Sequence, residues 1–321
     1  PELADDADPW VAWAATRCLA AQQEDDGDPQ ASLEIIEALL GRLHSHDLAG
    51  IHLLELHLHR LQVLMSLGRY SQVIDACSRA QVLLERVLPS WGEFFRTTLQ
   101  WGDAYCTVYL DPRPETATEL LERLESVDLP GTIRFILRSV RGELELTRGN
   151  VRTAALIQRV SLRYAGNWRS ILGSGSQWEL YILSMCLVTD VELSPDDAVE
   201  LDARAVRARA TSLLREILSD PAPRQRDIPT LMAFAAAVGL SAVAAEDVGS
   251  DRRAVGGELV ATALAVGTNQ TCRLLSHDYL RSRTERLDAR ALAQAEERIR
   301  SLDRGGLVAH AADLAGRLAG E

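Results

Sequence analysis

The sequence predicts an all-α protein, an α-solenoid of antiparallel helix pairs with about 40 residues per pair, and three observations predict it. Apolar residues recur at helical spacing along most of the 321 residues, and prolines fall mostly between the periodic segments. The turn glycines Gly27, Gly68 and Gly149 stand 41 and 81 positions apart, one and two units. The polar stripe Glu55, His59, Gln62, Ser66 returns as Arg96, Gln100, Asp103, Thr107 and again as Arg134, Arg138, Arg141, Glu145. Spacing of i, i+4, i+7, i+11 keeps each set on one narrow strip of a helix.

Helix starts and stops then order the elements. A first pair runs from Pro9 to Gln23 and from Pro29 to His44, joined by the acidic turn Glu24-Asp25-Asp26-Gly27-Asp28. Asp47 to Leu67 and Ser71 to Leu88 follow, joined by Gly68-Arg69-Tyr70. A third pair spans Trp91 to Leu110 and Pro114 to Val127, with Asp111-Pro112-Arg113 as its turn. A fourth spans Pro130 to Thr147 and Val151 to Ala165 across Arg148-Gly149-Asn150. Gly166, Gly173 and Gly175 then mark a joint before a helix from Gln177 to Asp190. Ser194-Pro195-Asp196-Asp197 reads as a helix start, because serine caps and early acids favour the helix dipole. Ala198 to Leu218 forms one long helix with arginines on its exposed side. Prolines near 219 to 229 suggest a linker, dividing a repeat array, residues 1–219, from residues 230–321. The last segment reads as four or five alanine-rich helices, broken at Gly249, Gly267 and Gly305-Gly306. It is either further repeats or a tighter C-terminal bundle.

Leu67-Gly68-Arg69-Tyr70-Ser71-Gln72-Val73-Ile74-Asp75-Ala76 resembles the signature turn of tetratricopeptide-like (TPR-like) repeats, and Thr147-Arg148-Gly149-Asn150-Val151-Arg152-Thr153-Ala154-Ala155 is a weaker copy. The resemblance covers residues 10 to 220 and implies a right-handed α-solenoid. Units of this length exceed the family's usual 34 residues and are similar to those in sensor regions of large bacterial transcriptional activators, among them the maltose-regulon type and actinobacterial antibiotic regulators. The chain opens at Pro1 without a methionine, so we expect a segment of a longer protein.

All 34 basic residues are arginine, a bias expected of a GC-rich genome. The net charge of −12 is uneven: residues 1–130 carry 22 acidic and 9 basic side chains, and the remainder 24 and 25. Such an acidic chain repels a polyanion, which excludes direct nucleic-acid binding by this segment. The acidic third is either a solvated face or a surface for a basic partner. Five widely spaced cysteines without a CxxC pair predict reduced thiols in a cytoplasmic protein, and no membrane anchor is expected.

Two apolar faces on the helix from Asp47 to Leu67 squeeze the polar stripe between them, as in the inner helices of a solenoid. We therefore expect Glu55, His59, Gln62, Arg96, Gln100, Asp103, Arg134, Arg138 and Arg141 on one concave binding surface, with Tyr181 on the next rung. Arg134, Arg138 and Arg141 repel one another, so either neighbouring acids such as Glu145 and Asp103 or a bound anion offsets them. Five of seven histidines fall between His44 and His59, but His57 and His59 project to different sides, and we expect neither a metal nor a cofactor. No catalytic motif is found, and no enzyme is expected. The resemblance implies a sensor domain of a larger regulator that binds a protein, a peptide or a small anionic effector, with homo-oligomerisation left open; the alternative is a free-standing adaptor for protein partners.

Overall fold

The computed structural model describes the backbone of residues 8–43, 50–87, 92–110, 114–126, 131–165, 175–193, 203–219 and 227–319, with side chains for most of them. Among these the fold is all helical and holds no strand. In chain order the helices are α1 (Pro9–Asp25), α2 (Pro29–Arg42), α3 (Gly50–Ser66), α4 (Tyr70–Val87), α5 (Gly92–Leu110), α6 (Pro114–Glu125) and α7 (Gly131–Thr147). They continue with α8 (Val151–Ala165), α9 (Gly175–Val191), α10 (Ala203–Ser219), α11 (Ile228–Ala244), α12 (Ser250–Val266), α13 (His277–Ile299) and α14 (Arg304–Ala319). The expected turn at 111–113, the helix start at 194–197 and the glycine joint at 166 and 173 lie outside the described residues.

Aspartate and proline start three of these helices. Asp8 Oδ1 accepts the Trp10 amide at 2.9 Å, Asp28 Oδ1 accepts Ala31 at 2.9 Å, and Asp227 Oδ1 accepts Thr230 at 3.0 Å. Proline occupies the first turn each time, where its missing N–H costs nothing.

Three turns share one construction. Gly27, Gly68 and Gly149 have φ of 79°, 68° and 80°, in the left-handed region that glycine enters without a Cβ clash. The amide after each glycine reaches five residues back: Asp28 to Gln23 O at 2.7 Å, Arg69 to Leu64 O at 2.9 Å and Asn150 to Glu145 O at 2.8 Å. Each is a Schellman end that satisfies otherwise orphaned carbonyls.

The chain divides into two compact units, Pro1–Leu137 and Arg138–Glu321, and the division falls within α7. In the first unit each helix packs chiefly on its sequence neighbours, from α1 on α2 through α5 on α6. On α3, Leu54, Leu61 and Met65 are buried on one side and Leu56, Val63 and Leu64 on another, so the helix is sandwiched.

The second unit has longer-range packing. α9 contacts α8, α10 and α11; α10 contacts α14; and α12 lies against α11, α13 and α14. Only Thr230 and Ala244 escape full burial on α11. Its alanines allow close approach: an added Cβ on Gly239 would stand 2.5 Å from Gly256 O on α12. α13 turns back on itself at Asp288, whose backbone is non-helical and whose Oδ1 caps Ala291 N at 2.9 Å. Arg281 and Glu296 therefore meet at 2.8 Å, although 15 residues of straight helix would separate them by about 22 Å. No described helix is long and apolar enough to cross a membrane.

Candidate binding surface

The residues expected to form the first rung meet a matching stripe on α1. Trp10, Trp13, Arg17 and Glu24 lie along one side of α1, and His52, Glu55 and His59 of α3 face them. The His52 ring sits edge-on to Trp10 and Trp13, with centroids 4.6 and 4.3 Å away. Glu55 Oε2 lies 3.3 Å from His52 Nδ1 and 3.5 Å from Arg17 Nη1, whose guanidinium also lies 5.1 Å from the Trp13 ring. His59 Nε2 is 2.5 Å from Glu24 Oε1, and the same oxygen accepts Ser32 Oγ of α2 at 3.0 Å. Arg60 reaches Glu37 through Nε and Nη2 at 2.9 and 2.7 Å. The exposed Arg17–Glu55 pair contributes little in water, whereas the more sheltered His59–Glu24 pair ties three helices together. Gln62 is exposed, and Ser66 Oγ bonds back to Val63 O at 2.8 Å.

The stripe on α5 sinks as it runs. Gln100 is exposed, Arg96 and Asp103 are half-buried and Thr107 is buried. Burial holds the Asp103 carboxyl above its ordinary range, and Arg123 of α6 only partly opposes this. Burial and the nearby Asp103 push the Cys77 thiol up to about 12, and burial also raises Cys106. These are inert core thiols. His57 of α3, by contrast, is held below its ordinary value by burial, then by Arg60 and Arg79.

Arg138, Arg141 and Tyr181 belong to the second unit, apart from Glu55, His59, Arg96 and Asp103 of the first; the Arg134 side chain lies outside the described residues. Arg138 and Arg141 are half-buried, and each has a partner. Glu145 takes Arg148 and Asn150, both at 2.8 Å. The Tyr181 hydroxyl shares a 2.8 Å hydrogen bond with Ser139, its ring lies 6.2 Å from Phe234, and burial raises its pKa well above the ordinary value.

A polar interior with no counterpart among the expected sites lies in α7, α8 and α9. Glu143 is buried and accepts the Cys272 thiol at 3.3 Å, and that sulfur also lies 3.3 Å from Met185 Sδ. Arg159 and Asp190 form a sheltered pair at 2.7 Å. Burial raises the Asp190 carboxyl while Arg159 pulls it back. Gln158 is wholly buried with neither amide atom hydrogen-bonded, pressed against Gly142, where an added Cβ would come within 2.6 Å of Nε2. Each unmatched amide atom costs about 1–3 kcal/mol. The sequence signal was a glutamine, an arginine and a glutamate on otherwise apolar faces, which periodicity alone does not separate from an exposed stripe.

Among the described residues no three histidine, cysteine or acidic side chains converge as a metal site. Compared with family models, curated proteins and solved structures, the chain has no match.

Proposed function

We propose that this chain is the regulatory binding region of a larger bacterial transcriptional regulator, built as a right-handed, TPR-like α-solenoid that takes a protein, a peptide or a small anionic effector. The observation that supports this reading best is the trio of glycine turns of one construction, spaced 41 and 81 residues apart. Each turn joins the two helices of one pair in the same way, so α1–α2, α3–α4 and α7–α8 share one hairpin construction, and repeat arrays built from such pairs present extended binding faces. Sequential packing of α1 to α6 supports the same reading. Effector occupancy is then passed on as a change in curvature or self-association, within a cytoplasmic protein.

The reading frame around these 321 codons tests the class. A helix-turn-helix or nucleotide-hydrolysing domain in the same frame supports the regulator, and a frame that ends with this chain at both sides points instead to an adaptor. A reporter assay then measures whether deleting this region abolishes effector-dependent transcription; unchanged induction sinks the sensor role.

A further inference from the structure

Four helices of the second unit, α10, α11, α12 and α14, enclose a cleft of about 160 Å³ that none of the stripe residues line. Its wall carries Arg204 and Arg207 of α10, Arg252 in the first turn of α12 and Asp247 in the turn before it. Among the described lining residues, three guanidiniums against one carboxylate leave a formal balance of two positive charges, within a chain whose sum is −12.

Two of the three forks are held in place. Arg207 gives Nη1 to Ser241 O at 3.1 Å and Nη2 to Asp247 at 3.1 and 3.4 Å. Arg252 gives Nη2 to Leu318 O at 3.1 Å. Arg204 is exposed and, among the described residues, makes no ion pair or hydrogen bond. The helix ends around the cleft offset one another, because the starts of α10 and α12 and the ends of α11 and α14 all border it. Guanidinium charge therefore sets the sign of the local field. Val238, Ala242 and Val248 supply an apolar floor.

Capping of α11 and α14 by Arg207 and Arg252 accounts for two of these arginines and leaves Arg204 without a structural task. We propose that the cleft binds a phosphate monoester dianion, with Arg204 closing on it and the pre-held Arg207 and Arg252 presenting planar forks to its oxygens. A dianion balances the two excess charges, which a monocarboxylate does not. The binding stands on the cleft alone; only its meaning as an effector site rests on the regulatory reading above.

Calorimetric titration of the full chain at low salt with inorganic phosphate, glycerol 3-phosphate and succinate tests this. Saturable one-to-one binding of both phosphates, weaker succinate, about tenfold loss on Arg204→Gln and tighter binding on Asp247→Asn are expected. Because Arg204 is exposed, the variant keeps its helical circular dichroism. Absence of saturable phosphate binding up to about 10 mM, or binding unchanged by Arg204→Gln, overturns the site. Succinate equal to phosphate overturns the phosphate assignment. Phosphate binding in a chain whose reading frame encodes no regulator leaves the cleft standing and removes the sensor role.

Discussion

Gly239 and Gly256 face each other across α11 and α12 so closely that a Cβ on either would stand within 2.8 Å of the other's carbonyl oxygen, at 2.5 Å for Gly239. Both atoms opposed to the new carbon are backbone, so neither yields by a rotamer change. Gly239→Ala and Gly256→Ala should each destabilise the second unit by about 1–3 kcal/mol. Gly41→Ala, with nothing within 4 Å, should stabilise α2 by up to about 1 kcal/mol. Urea midpoints separate the two outcomes, and equal shifts would contradict the close crossing.

The glycine turns make a second test. Gly149 has open space around its missing side chain, so its only constraint is φ of 80°. Gly149→Ala should cost about 1 kcal/mol, and Gly149→Asn less, because asparagine tolerates the left-handed region better. A neutral alanine variant would remove the shared-turn construction.

Arg159 and Asp190 offer a third. Asp190→Ala strands a buried guanidinium and should cost about 3 kcal/mol or more, while Arg159→Met with Asp190→Ala should recover most of that. Urea unfolding of the two variants measures the recovery; none would mean the pair is not coupled.

The fourth concerns acid. The folded pKa of His57 lies below its unfolded value of 6.5, so above that pH both states are neutral and the ring has no effect. As pH falls below it, the unfolded chain takes the proton first, and stability drops until the folded pKa is reached. As pH falls below about 6.5, His57→Gln should lose less stability than the parent chain. Parallel pH slopes would show that His57 is not responsible.

Helix existence was legible in the sequence because caps, turn glycines and apolar periodicity agree, as at Asp28-Pro29 and Gly68. The fold-back at Asp288 was not, since Arg286-Leu287-Asp288-Ala289 carries neither glycine nor proline and one aspartate cap differs little from a surface acid. The polar spacing on α3 was visible, but its partners Arg17 and Glu24 were not, because an open polar face and a polar seam between helices have the same period. The cleft at Arg204 was hidden for another reason: its residues come from α10, α12 and the turn before α12, which only tertiary packing joins.

The contrast between packing in the first unit, chiefly on the next helix along, and the contact between α10 and α14 in the second has a mechanical consequence. Under tension along the chain, α1 to α6 should peel away stepwise at low force, since among the described residues the contacts given above reach no further there than the second helix along. The second unit should hold until α10 and α14 part, then give way in one step. A single-molecule stretching trace would record a sloping plateau followed by a sharp rip, and the reverse order of forces would reject this division of labour.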